Sequence, residues 1–120
     1  MDISKTIAEL KKDPAFAENV GMILVHNGVV RGWSRKDRRE VSSIAIRVDR
    51  ERMEQLRQEH ERRPGIFRVI VEAHEGDLKP GDDVLFILVA GDIREHVKPV
   101  LSDLLDRIKA EAVSKSESIS

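Results

Sequence analysis

The sequence predicts an α+β fold, with helices packed on a mostly antiparallel or mixed sheet. Segments whose apolar residues alternate with period two are interleaved with segments spaced by three and four. One run, DVLFILVAG, is apolar at both parities, as a strand covered on both faces must be. At 120 residues, 40% hydrophobic and 36% charged, the chain can bury one modest core under a heavily charged surface.

Ile3, Ile7 and Leu10 recur at helical spacing, and Pro14 bounds that first helix. The β-branched stretch from Val20 to Val30 reads as a strand, with Gly28 marking a bulge or a close backbone approach. A second strand alternates Ile44, Ile46 and Val48 against Ser43, Ala45 and Arg47. The next helix starts after Asp49, whose carboxylate can accept first-turn amides, and stops at Pro64-Gly65. Its apolar stripe is thin, Met53 and Leu56 with His60 as a third member, so most of it faces water.

Phe67, Val69, Val71 and Ala73 alternate along a third strand, and GDLKPGDD is turn chemistry around Pro80-Gly81. DVLFILVAG is then the central strand. The longest helix carries Ile93, Val97, Val100, Leu101, Leu104, Leu105 and Ile108. Pro99 either kinks it or marks its first turn. Residues 1–113 form one domain in this reading, and the polar segment 114–120 is a frayed, disordered tail.

The composition excludes several kinds of chemistry. Without cysteine there are no disulfides, no Cys-ligated zinc and no thiol catalysis. The glycines never approach a nucleotide-binding loop, and Ser42-Ser43 has no nucleophile elbow. His26, His60, His74 and His96 lack close metal-ligand spacing. A net charge of −1 and an aromatic content of 3% disfavour a nucleic-acid binder, although the basic loop keeps that class as a third reading. No run approaches the ~18 apolar residues of a membrane span, and the N-terminus lacks an apolar signal core, so the expected compartment is cytoplasmic.

The remaining signal is cationic. Five of the nine residues from Arg31 to Arg39 are Arg or Lys. The cluster Arg35, Lys36, Arg38 and Arg39 on its own reads as a solvated loop. Arg31 differs because it closes an apolar strand between Gly28 and Gly32, where its planar fork can be offered to phosphate or carboxylate. Arg94 opens a helix, whose N-terminal amides also favour anions. Lys109 follows Ile108 and so flanks a buried stripe. Spacing alone does not join these three, and a surface ion pair is the simpler reading of each by itself.

The ordered set of motifs supplies the link. VGMILVHNGVVRG, the run from IRVDRERMEQLRQEHERRPG through GDLKPGDDVLFILVAGDIREH, and DLLDRIKAE resemble the large, catalytic subunit family of molybdopterin synthase over roughly residues 19 to 112. The resemblance implies an α/β hammerhead-like fold and a homodimer within a heterotetramer. It also implies a partner, a small ubiquitin-like sulfur-carrier subunit whose Gly-Gly C-terminus is charged as a thiocarboxylate. The implied reaction is sulfur transfer to cyclic pyranopterin monophosphate, forming molybdopterin, with that pterin as substrate and no permanently bound cofactor.

By position, Arg31 matches the family's strand-end arginine, Arg94 the arginine of its His-Arg pair, and Lys109 its helical lysine. Arg31, Arg38 and Arg39 are the implied substrate-binding cations, and Lys109, Arg94 and Lys115 the implied catalytic ones. The sequence departs from the pattern at Ile93, which replaces the histidine of the pair, and at Glu75, which follows His74 where a basic residue is usual. It also departs in AEAVSKSES, where either Lys115 or Ser116 takes the place of a second lysine. These departures keep a non-catalytic relative, retaining the fold and its protein-binding surface, as the alternative.

Overall fold

A computed structural model describes residues 1–119. Helix α1 (Ile3–Leu10) and the single turn α2 (Phe16–Asn19) lead into strand β1 (Met22–Val29). After the basic loop come β2 (Val41–Val48), α3 (Arg50–Glu61), β3 (Ile66–Ala73), the short β4 (Gly76–Leu78) and β5 (Asp83–Gly91). The chain closes with α4 (Arg94–Glu111) and β6 (Val113–Ile119). This is the α+β architecture expected, divided into two antiparallel three-stranded sheets, β1-β5-β3 and β4-β2-β6.

The apolar run at both parities occupies the centre of the larger sheet. Leu85, Ile87 and Val89 of β5 pack under α3 and α4 with Leu56, Val97, Val100, Leu104 and Ile108. Phe86, Leu88 and Ala90 turn to the other face and meet Leu10, Ile3 and Ile7 of α1. Strand alternation thus feeds two cores from one strand. Side chains such as Leu88 and Leu104, with no exposed surface, contribute about 1.5–3 kcal/mol each by removal from water.

The expected cap is present, the Asp49 carboxylate accepting from the Arg52 amide at 3.0 Å, and Asp2 caps α1 in the same way through the Lys5 amide at 3.0 Å. α4 begins at Arg94 and runs through Pro99, so the proline is not its first turn. His60 is fully buried, with Nδ1 at 2.7 Å from the Leu56 carbonyl and Nε2 at 2.7 Å from Asp103 Oδ2. Gly28 does mark an irregularity, since the β1–β5 register shifts between Gly28 and Val29.

Two expectations are corrected. Gly76–Leu78, read as turn, is a short strand on β2. More consequentially, the tail expected to fray is β6, paired antiparallel to β2 from Val113↔Val48 to Val41↔Ile119. Its polarity misled because an edge strand needs only one covered face and satisfies its backbone through its neighbour. The domain therefore does not stop at residue 113, and of the tail only Ser120 lies outside the described residues. Among the described residues, no helix is long and apolar enough to cross a membrane.

Candidate functional site

Where the two sheets and the end of α4 meet, a cavity of about 200 Å³ opens. Its apolar walls come from Val29 and Val30, Ile44 and Ile46 of β2, Val84 and Leu85 of β5, and Val113. Its polar groups are Arg31, Lys109, Lys115, His26 and Glu117.

Local geometry places each of these. Val30 exchanges hydrogen bonds of 2.9 Å with the Pro80-Gly81 turn, its amide donating to the Asp82 carbonyl and its carbonyl accepting from the Gly81 amide. Gly81 has φ +96°, a left-handed conformation that glycine reaches without penalty. The end of β1 is pinned there, and Arg31, the next residue, stands at the cavity. On α4 the buried stripe ends at Ile108, and Lys109 is rotated by one helical step to the stripe's margin. It lies in the last turn, where the helix dipole favours a cation.

Register settles the last helix-to-strand segment. In β6, Lys115 pairs with Ile46 and Glu117 with Ile44, so both share the face that the buried isoleucines turn inward. Ser116 falls on the opposite face, and Lys115 is the one of the two candidates that lines the cavity.

Among the described residues, neither Arg31, Lys109 nor Lys115 has a carboxylate oxygen within 4.0 Å, the contrast being Arg39 with Asp37 at 3.6 Å and Arg94 with Glu95 at 3.3 Å. Glu117, the one carboxylate lining the cavity, accepts from the Ser34 hydroxyl at 3.1 Å, and Ser34 is itself buried. The cavity thus joins unpaired cations to apolar walls. Such a site suits an anion with an apolar or planar body, because the half-buried Arg31 and the exposed Lys109 and Lys115 attract negative charge to a cavity whose walls are apolar.

Not every expected residue converges. Arg94 opens α4, 15 positions before Lys109, about 22 Å along the helix axis. Its side chain is 77% exposed against Glu95, so within one chain it is a surface ion pair. The expectation that Arg31, Arg94 and Lys109 share one cavity is therefore corrected to Arg31, Lys109 and Lys115. Arg38 and Arg39 also stand outside the lining. Arg38 takes φ +64° and lays its guanidinium on Trp33, while Arg39 pairs with Asp37.

His26 is the site residue that sequence reasoning missed. The sequence offers it only as one of four histidines without metal-ligand spacing, and among the described residues no group of three or more His, Cys, Asp or Glu is placed to hold an ion. Its Nε2 is buried without a hydrogen-bond partner. Burial first, and the Lys109 charge second, push its pKa below the usual 6.5. Its parity with Gly28 in β1, on the strand leading to Arg31, was the available signal.

The family model described as MoaE protein matches residues 1–111. A probable molybdopterin synthase of Haloferax volcanii is 26% identical over 111 residues, 89% of this chain. The chain spans only 42% of that relative's length. Among solved structures, the molybdopterin cofactor biosynthesis protein E of Burkholderia multivorans superposes with a TM-score of 0.75 at 21% identity, covering 100% of this chain and 82% of that one. The molybdopterin synthase of Staphylococcus aureus gives 0.72 at 20% identity, over 84% and 76%. A complex of subunits 1 and 2 of molybdopterin-converting factor from Helicobacter pylori gives 0.70 at 15% identity, over 98% and 80%. At such identities these structures speak for the fold, and the family match carries the assignment: the chain belongs to the MoaE protein family, that of the molybdopterin synthase large subunit.

Proposed function

We propose that this chain acts in molybdenum cofactor biosynthesis as the catalytic large subunit of a molybdopterin synthase. The substrate would be cyclic pyranopterin monophosphate, and the sulfur donor the thiocarboxylated Gly-Gly terminus of a small ubiquitin-like subunit. The observation that carries the reading is one cavity lined by Arg31, Lys109 and Lys115 with no carboxylate paired to any of them among the described residues.

Each group has a task in that chemistry. The Arg31 fork suits the substrate's phosphate, and Lys115 adds a second positive charge to the lining from β6. Lys109, as the neutral amine, can attack the thiocarboxylate carbonyl, forming an amide as the C–S bond breaks and the sulfur leaves as hydrosulfide carrying the amine's proton. As the ammonium it can instead stabilise the oxyanion formed there. The apolar walls give contact area to the body of the substrate, while Arg31 is half-buried and Lys109 and Lys115 are exposed to an incoming anion.

The two-subunit Helicobacter pylori complex, whose subunit shares this fold, supports a small partner. Within the same proposal the protein is cytoplasmic and dimerises, giving a heterotetramer. Arg94 contributes to such a cavity only if a second copy presents it. Ile93 favours the competing reading of a non-catalytic relative, because an alkyl side chain moves no proton.

Reconstitution separates the two. The protein, a thiocarboxylated small subunit and the cyclic pyranopterin should together yield molybdopterin, and Lys109→Ala should stop turnover while partner binding persists. Partner binding without turnover by the unaltered chain would establish the non-catalytic reading.

A further inference from the structure

Arg31 is held against an aromatic ring. Its guanidinium carbon lies 4.6 Å from the centroid of the Trp33 ring, and that of Arg38 lies 4.4 Å from the same ring. A guanidinium against an indole is attracted through its π surface, while its N–H donors radiate in its own plane. The contact therefore holds the group in place with no carboxylate on its donors among the described residues. An ion pair does the reverse, as at Arg39 and Arg94, where a carboxylate occupies donors that a ligand would need.

The loop between β1 and β2 is built to hold the indole there. Trp33 bridges Glu40, the Ser34 amide donates to the Arg39 carbonyl at 2.7 Å, and the Arg38 amide donates to the Ser34 carbonyl at 2.8 Å. The Ser34 hydroxyl anchors the loop to Glu117 of β6. Arg38 sits in the left-handed region that non-glycine residues avoid. That conformation delivers a second guanidinium to the same ring. Trp33 nevertheless keeps 39% of its surface exposed, so burial does not account for its place.

We propose that Trp33 is a positioning residue of the cavity, aiming the Arg31 guanidinium by cation–π contact so that its N–H edge is open to an oxyanion of the substrate. The inference rests on the anionic-substrate reading of the cavity given above and adds to it the device that makes Arg31 ready before the anion arrives.

Inorganic pyrophosphate, titrated calorimetrically into the intact protein, is the probe. Trp33→Ala and Trp33→Leu should each weaken binding about 3- to 10-fold, because leucine restores apolar bulk without the ring quadrupole, whereas Trp33→Phe should stay within about 2-fold. In an Arg31→Ala background, Trp33→Leu should have no further effect. Because Trp33 is the only tryptophan and there is no tyrosine, pyrophosphate should also change the protein's emission, a response lost in Arg31→Ala. In the reconstituted reaction Trp33→Leu should raise KM and leave kcat in place. Wild-type affinity in Trp33→Leu, or an equal loss with and without Arg31, would overturn the positioning role while the cationic cavity stood. Unchanged affinity in Arg31→Ala would instead overturn the anionic-cavity reading itself.

Discussion

Two sets of basic residues in this molecule live under opposite conditions. On the face shared by α3 and α4, the cations are matched with carboxylates. Arg57 binds Glu54 and Glu61, Arg107 binds Glu59 and Glu111, and Arg52 binds Glu111. Arg63 and His60 meet at Asp103. Hydrogen bonds from Arg107 and then Arg52 hold the Glu111 carboxyl at about 2. At the far side of α4, Arg31, Lys109 and Lys115 surround a cavity with no such partner among the described residues. The paired set ties two helices together, and the unpaired set has its charge matched by no described carboxylate, which is what the proposed anionic substrate would supply. Arg107 and Lys109, two positions apart on one helix, fall on either side of that division.

The largest expected effect tests the division directly. Lys109→Ala should lower sulfur transfer at least about 100-fold, or roughly 2.7 kcal/mol on the barrier, with the melting temperature unchanged. Arg107→Ala should leave turnover intact. Parallel rates and melting curves for the two variants decide whether pairing separates structural from functional cations. Next in size is Asp103→Ala, which leaves the Nε2 of fully buried His60 without an acceptor. That should cost about 1–3 kcal/mol of stability and no activity, measured by denaturant unfolding. The same carboxyl is held below its usual value by His60 first and Arg63 second. Its contribution is thus complete above the unfolded value and is lost as pH falls through the native one, and Asp103→Asn should flatten the acid limb.

The division was only partly legible in the sequence, for reasons that differ by residue. DVLFILVAG announced its own burial because a strand apolar at both parities has no face to offer water. Lys109 was legible through its place beside Ile108. β6 was not, because its partner β2 lies some 70 positions earlier, and pairing between distant segments leaves no local trace. The choice between Lys115 and Ser116 needed that register, which sends alternate residues to opposite faces. Arg94 was joined to the cavity by family likeness alone, and the length of α4 separates them within one chain. Trp33 enters the sequence reading only through the low aromatic content that disfavours base stacking, because its contacts with Arg31 and Arg38 depend on the path of the loop.

A smaller effect probes the loop that carries Arg31. Ser34→Ala removes the hydrogen bond to Glu117, leaving a carboxylate beside the cavity cations. Stability should fall by about 1 kcal/mol, and pyrophosphate binding should weaken modestly as Glu117 turns toward the lysines. Glu117→Gln should restore or exceed wild-type binding in the Ser34→Ala background, because it removes the competing charge. Failure of that rescue would place the carboxylate outside the electrostatics of the site.

The finest test falls on His26, the cavity residue nearest the line between the two regimes. Its pKa is lowered by burial first and by the Lys109 charge second. In the unfolded chain the imidazole takes up a proton near 6.5, while in the native protein it is still neutral there. The unfolded state thus binds more protons just below 6.5, and stability falls as pH drops through that window toward the native value. Beneath the native value both states are protonated and the loss stops. His26→Leu should flatten this part of the stability curve, since the orphaned Nε2 goes with the charge. Lys109→Met should raise the native pKa of His26, followed by NMR of its ring protons, yet leave it under 6.5 because burial is the larger cause. A native His26 that titrates at or above 6.5 would mean that Nε2 has acquired an anionic partner, since loss of the Lys109 charge alone leaves burial to hold it down. An anion placed there would stand in the cavity that Lys109 also lines, and would remove the distinction on which the functional reading of its cations depends.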